Sequence, residues 1–284
     1  MKRIWLLYDT VDLAANRDFA AMMNKRGAER EWFVEAVTLR ELTLTMDLNG
    51  VPACLRKGAK VRPDAILSRM RVPLYSRHFE AMGVPVFNGA KVCEICNDKR
   101  RTYQFLAGLP IPDTVFLSPH TPPPSEKDYP LVVKPACSHG GDRVTLVRDR
   151  EQWQTAVQGI LPEPALYQKL VEKPGRDLRV YVLFGQIVAG VMRTAQSGIV
   201  SNFKLGGMVE RHILTTEEEQ LARQVIQRFD AAGAPLCFAG VDLLYESYGP
   251  VVSEVEDVVG SRMLYRTSDL DIASLYLDAL RDRI

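Results

Sequence analysis

The sequence predicts an α/β chain of two or three lobes that opens on a small, mostly parallel sheet. Three observations carry this. The first 90 residues alternate strand-like and helix-like segments, the rhythm of a parallel sheet with covering helices. Near YPLVVKP the pattern changes to longer strands joined by glycine and proline turns. At 284 residues, 46% hydrophobic and 25% charged, the chain can bury a substantial core and exceeds one small domain.

The elements follow in order. KRIWLLY reads as a strand, a helical stretch runs to about Gly27, and EWFVEAV is the next strand. PDAILSRM is a buried strand, YSRHFEAMG a helix closed by glycine, and VPVFN another strand. No GxGxxG follows the first strand, so this sheet is not assigned a dinucleotide. Cys93 to Leu109 reads as one helix carrying NDKRRTYQFLAG, and PPPSEK as a surface turn. After YPLVVKP come a strand at 166–171, a turn at Pro174-Gly175, and two further strands holding Asp177, Arg179 and Arg193. TTEEEQLARQVIQRFDAAG is a helix: Thr215 and Glu218 suit a capping box, acids fill the first turn, and Leu221, Val225 and Phe229 share a face.

Composition excludes several functions. A formal net charge of +1 gives no field to recruit nucleic acid or an anionic membrane. There is no apolar run of about 18 residues, and MKRIWLLYDTVD reads as a short strand meeting acidic residues, not a signal peptide. The five cysteines are odd in number and scattered, as for reduced thiols, and a cytoplasmic location is expected. Cys93 and Cys96 form a lone CxxC, read as chance spacing on a helix. No internal repeat is evident, and a homo-oligomer is allowed but not required.

The segment GVDLLYESYGPVVSEVEDVVG sets Asp242, Glu254, Glu256 and Asp257 among valines. A hairpin centred near Tyr248 places Asp242 opposite Glu254, with Glu256 on the same face. Like charges facing each other in a sheet are destabilising, and an ionised carboxylate among apolar neighbours needs compensation. A magnesium ion would compensate them, since it takes one or two carboxylates and keeps positions for phosphate oxygens. The competing reading is a hairpin with solvent-facing acids.

LVVKPACSHGGDRV sets Lys134 on a strand just before Ser138, His139, Gly140 and Gly141. Small residues let backbone amides approach phosphate oxygens, and the lysine adds a point charge; an ordinary hairpin turn would read the same way. His139 has no partner at metal-ligand spacing and reads as a loop or phosphate contact. Arg193, near this loop, could hold charge developing in a phosphoryl or acyl-phosphate transition state, or be a solvated edge-strand arginine.

The order NDK, VVKP with its glycine loop, YQKLVE, GRDLRVYV, MRT with SNFKLGG, GVDLL and SEVEDVVG resembles the ATP-grasp superfamily, and within it the RimK-type amino-acid ligases. The resemblance covers nearly the whole chain. It implies an ATP-grasp fold with α+β sandwich lobes: an amino-terminal α/β domain at 1–92 and an ATP-grasp domain at 93–284, with a central lid subdomain near 125–172 and a catalytic subdomain near 173–284. By the same resemblance Lys99 and Lys134 contact ATP phosphates beneath a loop of Ser138, His139, Gly140 and Gly141. Gln168, Lys169 and Leu170 line the adenine. Asp177 lies near the ribose, Asn202 belongs to the nucleotide and metal region, and Arg193 steadies the transferring phosphoryl group. Asp242, Glu254 and Glu256 hold magnesium, for which manganese could substitute.

Two departures stand out. Glu256 and DVVG occupy the place of the family's asparagine and serine-rich turn, and the phosphate loop reads SHGGDRV. The implied activity is ATP-dependent ligation of a carboxylate to an amine, either as small molecules or at a peptide or protein terminus. The rivals are a small-molecule kinase of the same fold, which would need a general base for its alcohol, and a nucleotide-binding regulatory protein with little turnover. Arg193, Asp242 and Glu254 argue against the last, since a binder needs no transition-state stabilisation. Arg69, Arg71, Tyr75 and Arg77 are candidates for recognising a substrate carboxylate.

Overall fold

In a computed structural model that describes residues 1–196, 198–199 and 207–284, the described residues form four sheets. The amino-terminal lobe contains β1 (Arg3–Tyr8), α1 (Thr10–Ala15), α2 (Arg17–Ala28), β2 (Phe33–Thr38), β3 (Leu42–Met46), β4 (Pro52–Arg56), β5 (Ala59–Val61), β6 (Ala65–Ser68), α3 (Pro73–Ala81) and β7 (Val86–Phe87). Its main sheet is parallel in the order β2-β1-β6-β7. Burial of β1 from Trp5 to Tyr8 and of all of β6 reflects helices or loops on both faces. The antiparallel meander β3-β4-β5 has no counterpart in the strand-and-helix alternation expected from sequence. Its strands are short and mostly half-exposed, so they lack a strong hydrophobic period.

The helix expected from Cys93 to Leu109 is two helices, α4 (Ala90–Cys96) and α5 (Lys99–Phe105). Asp98 ends the continuity: it adopts an extended conformation and its side chain accepts a hydrogen bond from Arg100 N, capping α5. The break puts Lys99 at the first position of the new helix.

The central lobe is an antiparallel sheet in the order β10-β9-β11-β8, built from β8 (Thr114–Leu117), β9 (Leu131–Pro135), β10 (Thr145–Val147) and β11 (Ala165–Lys169), with α6 (Arg150–Gln158) against it. Trp153 and Val157 of α6 pack on Leu131, Val133, Val147 and Ala165. This sheet already includes Thr114, ahead of residue 125.

The carboxy-terminal lobe holds β12 (Arg176–Leu183), β13 (Gln186–Thr194), β14 (Met208–His212), α7 (Thr216–Ala231), β15 (Phe238–Glu246), β16 (Gly249–Glu256), α8 (Arg262–Thr267) and α9 (Ile272–Leu280). Its sheet runs β14-β13-β12-β15-β16, antiparallel throughout. The capping box at Thr215 and Glu218 is present, and Leu221, Val225 and Phe229 bury one face of α7 against the sheet. The other face, with Tyr181, Val191 and Phe238, shares a core with α8, α9 and the amino-terminal β1 and α2. Asn88 pins this seam: its amide donates to Phe238 O and Asp257 O, and its carbonyl accepts from Cys237 N.

β15 and β16 form the expected hairpin, and Asp242 does pair with Glu254. The turn is the two residues Ser247 and Tyr248, which alone would set the register one residue off. A bulge at Ser253 restores it. The Ser253 carbonyl accepts a 2.6 Å hydrogen bond from Tyr103 Oη of α5, so the bulged backbone keeps a partner.

Candidate active site

A cavity of about 310 Å³ lies between the central and carboxy-terminal sheets, with the amino-terminal lobe closing one end. Pro112, Val132, Leu170, Val171 and Leu244 make part of it apolar, suiting an aromatic ring. Gln168, Lys169 and Leu170 line this part. The Gln168 side-chain amide is committed to Tyr103 Oη at 3.1 Å and Thr114 Oγ1 at 2.8 Å, so it braces the hinge and leaves recognition to the backbone.

At the polar part β9 delivers Lys134, 7% exposed, and α5 delivers Lys99, 6% exposed. Lys99 Nζ donates to Ser138 O at 2.6 Å and pairs with Glu254 at 3.0 Å, joining the loop to β16. Gly140 and Gly141 have φ of 68° and 79°, a left-handed pair that lets the chain reverse against the cavity. Burial, and then the neighbouring Lys99 ammonium, pull Lys134 down to about 7. Burial lowers His139 to about 4. Burial thus leaves the charged form of each group poorly solvated.

Opposite this wall, strand register builds a charged row. Asp177 faces Arg193 across β12 and β13, Arg179 faces Asp242 across β12 and β15, and Asp242 faces Glu254 across β15 and β16. Arg179 grips Asp242 with two bonds, 2.7 and 2.6 Å, and lies 2.5 Å from Glu256. Arg193 bonds Asp177 and reaches Asp242 at 2.6 Å. Burial alone would raise the Asp242 carboxyl, but the two guanidinium groups hold it at about 2. Gly240 makes room for this: a Cβ there would stand 3.2 Å from Arg179 Cδ and Nε.

Of the expected site residues, Lys99, Lys134, Ser138, His139, Gly140, Gly141, Gln168, Lys169, Leu170, Asp177, Arg193, Asp242, Glu254 and Glu256 all line this one cavity. Asn202 lies outside the described residues. Among the described residues no group of three acidic, histidine or cysteine side chains is poised for a metal. Arg179 pairs with both Asp242 and Glu256, and Lys99 pairs with Glu254, so cations of the protein lie against all three acids. The donors still suit magnesium: all are hard oxygens, and buried Glu256 Oε2 has an ionic contact but no hydrogen bond.

Arg179 is the member that sequence reasoning left without a role. Its spacing from Asp177 was a usable signal, because alternate residues share a strand face. Of the proposed carboxylate-binding group, Arg69 and Arg71 line the cavity. Arg77 is an exposed partner of Glu94, and Tyr75 packs in the amino-terminal core.

A glycine loop and two lysines thus face an acidic hairpin across an apolar slot in one cavity. The model of the RimK-like ATP-grasp domain matches residues 97–280. The chain belongs to the RimK-like ATP-grasp family. Among similar proteins, N-acetylaspartylglutamate synthase A of Homo sapiens is 30% identical over 277 residues, covering 90% of this chain and 70% of its own. A probable alpha-L-glutamate ligase of Maridesulfovibrio salexigens is 31% identical over 246 residues, covering 80% and 79%. The ATP-grasp ligase PsnB, solved with a phosphomimetic precursor, Mg and ADP, superposes with a TM-score of 0.69 at 17% identity, over 98% and 97% of the two chains. This RimK-like protein therefore has the ATP-grasp fold and is a carbon–nitrogen ligase of the amino-acid ligase type, forming an amide bond with ATP.

Proposed function

We propose that the protein joins a substrate carboxylate to an amine through an acyl phosphate. A carboxylate oxygen attacks the γ-phosphorus of ATP and ADP leaves; the amine nitrogen then attacks the acyl carbon, phosphate leaves, and the nitrogen gives up a proton to solvent. The observation that carries this reading is one cavity with Lys99, Lys134 and the Ser138–Gly141 loop on one wall and Arg193 on the other. The lysines would hold the phosphates, the loop would cover them, and Arg193 would balance charge on the transferring phosphoryl group and on the tetrahedral oxyanion. Asp177, bonded to Arg193, orients that guanidinium and borders the ribose side. Asn202 is proposed for the same nucleotide and metal region.

Glu254 and Glu256 would hold magnesium, with manganese as a substitute, and Asp242 would join them once Arg179 and Arg193 yield its oxygens. When bound, the metal supplies Lewis-acid neutralisation of phosphate charge. No protein nucleophile is needed, because positioning a carboxylate against the phosphorus suffices. The relatives' names support an acidic amino acid as one substrate, free or at a peptide terminus. A cytoplasmic setting suits the cysteines, all free, of which Cys54, Cys93, Cys96 and Cys237 are buried.

The test is release of ADP and phosphate across a panel of acid and amine pairs, with product mass measured. Turnover that requires both partners supports the ligase. Transfer of phosphate to an alcohol without free phosphate would make the protein a kinase instead.

A further inference from the structure

Asp257 follows β16 directly and belongs to its acidic segment, yet the proposed chemistry leaves it without a task. It is 4% exposed and is not among the residues that line the cavity, because alternation along the strand turns it away from the face of Glu254 and Glu256. Arg71, whose charge it feels, is paired with Asp12, and among the described residues no cation lies in ion-pair contact with Asp257. A buried carboxylate so placed is costly unless hydrogen bonds hold it.

Those bonds lead to the joint between α4 and α5. Asn97 Nδ2 donates to Asp257 Oδ1 at 2.9 Å, and the Cys93 thiol, which donates to Met70 O at 3.3 Å, also interacts with this carboxylate. The Asn97 amide donates as well to Cys93 O at 2.9 Å, closing the end of α4. Asp98 then caps α5, and Lys99 opens it. From there Lys99 N donates to Ala136 O at 3.0 Å, while Lys99 Nζ donates to Ser138 O and pairs with Glu254. The acidic segment therefore grips one short stretch twice, through Asp257 on Asn97 and through Glu254 on Lys99. A lysine is a compact charge on a flexible stem, so its place is set only as well as its backbone is held.

We infer that Asp257 is a positioning residue: by clasping Asn97 it fixes the start of α5, and so aims Lys99 at the nucleotide's phosphates from beside Glu254. The inference rests on the nucleotide reading of the cavity. Asp257 itself touches neither nucleotide nor acyl group, and acts through Lys99.

The test is calorimetric titration of the full chain with magnesium and AMPPNP, a non-hydrolysable ATP analogue, arranged as a double-mutant cycle. Lys99→Met should weaken binding by roughly ten- to a hundredfold, the range for a hydrogen bond to a charged group. Asp257→Ala should weaken it by roughly three- to tenfold, a fraction of that contact. In the Lys99→Met chain the same substitution should change affinity by less than about twofold, because the contact it serves is already gone. Asp257→Asn keeps an oxygen to accept from Asn97 and should bind within about twofold of the parent. Asn97→Ala removes the clasp from the other side and should match Asp257→Ala. A carboxylate needed only for folding would lower affinity by one factor in both backgrounds. The clasp is overturned by that result, by Asp257→Ala or Asn97→Ala binding like the parent, or by Asp257→Asn binding as weakly as Asp257→Ala. A parent that bound no analogue would overturn the nucleotide reading as well, whereas a parent that binds beside unaltered variants removes the clasp alone.

Discussion

Nucleotide binding should draw a proton from solvent, and replacing Lys134 by methionine should abolish that uptake. Lys134 is buried beside Lys99 and its pKa falls to about 7. Phosphate oxygens beside it would restore a fully charged lysine. With a free-state pKa of about 7, charged fractions of about 0.9, 0.5 and 0.1 at pH 6, 7 and 8 imply uptake of about 0.1, 0.5 and 0.9 proton per nucleotide. The assay is the binding heat of an ATP analogue with magnesium, measured in buffers of different ionisation enthalpy, whose slope counts protons. The sign for stability follows from the same shift. A folded pKa below the unfolded lysine value means the unfolded chain holds more protons between pH 7 and about 10.4, so Lys134's contribution to stability rises with pH across that window. Without nucleotide, Lys134→Met should therefore be more stable than the parent at pH 6, with the gap closing by pH 10. A proton count that is flat with pH, or one that survives in Lys134→Met, would refute the reasoning.

Other predictions concern the parts that hold the site. Asp242→Asn should lose about 3–5 kcal/mol in urea unfolding, because Arg179 and Arg193 would stay buried without their shared carboxylate; a gain would mean that repulsion among the acids dominates. Tyr103→Phe should cost about 1–3 kcal/mol by thermal unfolding, since the Ser253 carbonyl at the bulge would lose its donor and Gln168 an acceptor. Glu218 has its pKa held down, against burial, by Tyr245, Thr215 N and His212. Its stabilisation is present above the usual carboxylate value and is lost as pH falls through the lower folded one, so the stability gap between parent and Glu218→Gln should narrow in acid.

The site was legible where it depended on alternation within a strand. Asp242 and Glu254 face each other as the sequence suggested, yet the argument contained two offsetting steps: the turn is centred half a residue early, and the bulge at Ser253 returns the register. That bulge is supported by Tyr103, 150 residues away, which no local pattern reveals. Arg179 was harder, because its role comes from β12 lying beside β15, a pairing between residues 63 apart. Two misses had signals in the sequence. Asp98 is a good helix cap and could have divided α4 from α5. The Asp47–Gly50 and Lys57-Gly58 turns join the strands of the missed meander, and Gly50 and Gly58 have φ of 75° and 78°.

Charge balance links this acidic row to the chemistry proposed for it. Lys99, Lys134, Arg179 and Arg193 face Asp177, Asp242, Glu254 and Glu256, four basic and four acidic groups in a lining that also holds Asp12, Arg69, Arg71, Lys169 and Arg262. Such a set is tolerable because each of these acids has a cationic neighbour. Glu256 is essential to that parity: with asparagine there, Arg179 would keep only Asp242 and the row would be left positive. A metal held by Asp242 and Glu256 would compete with Arg179 for the same oxygens. The small space left by Gly240 is what allows Arg179 its two-bond grip on Asp242.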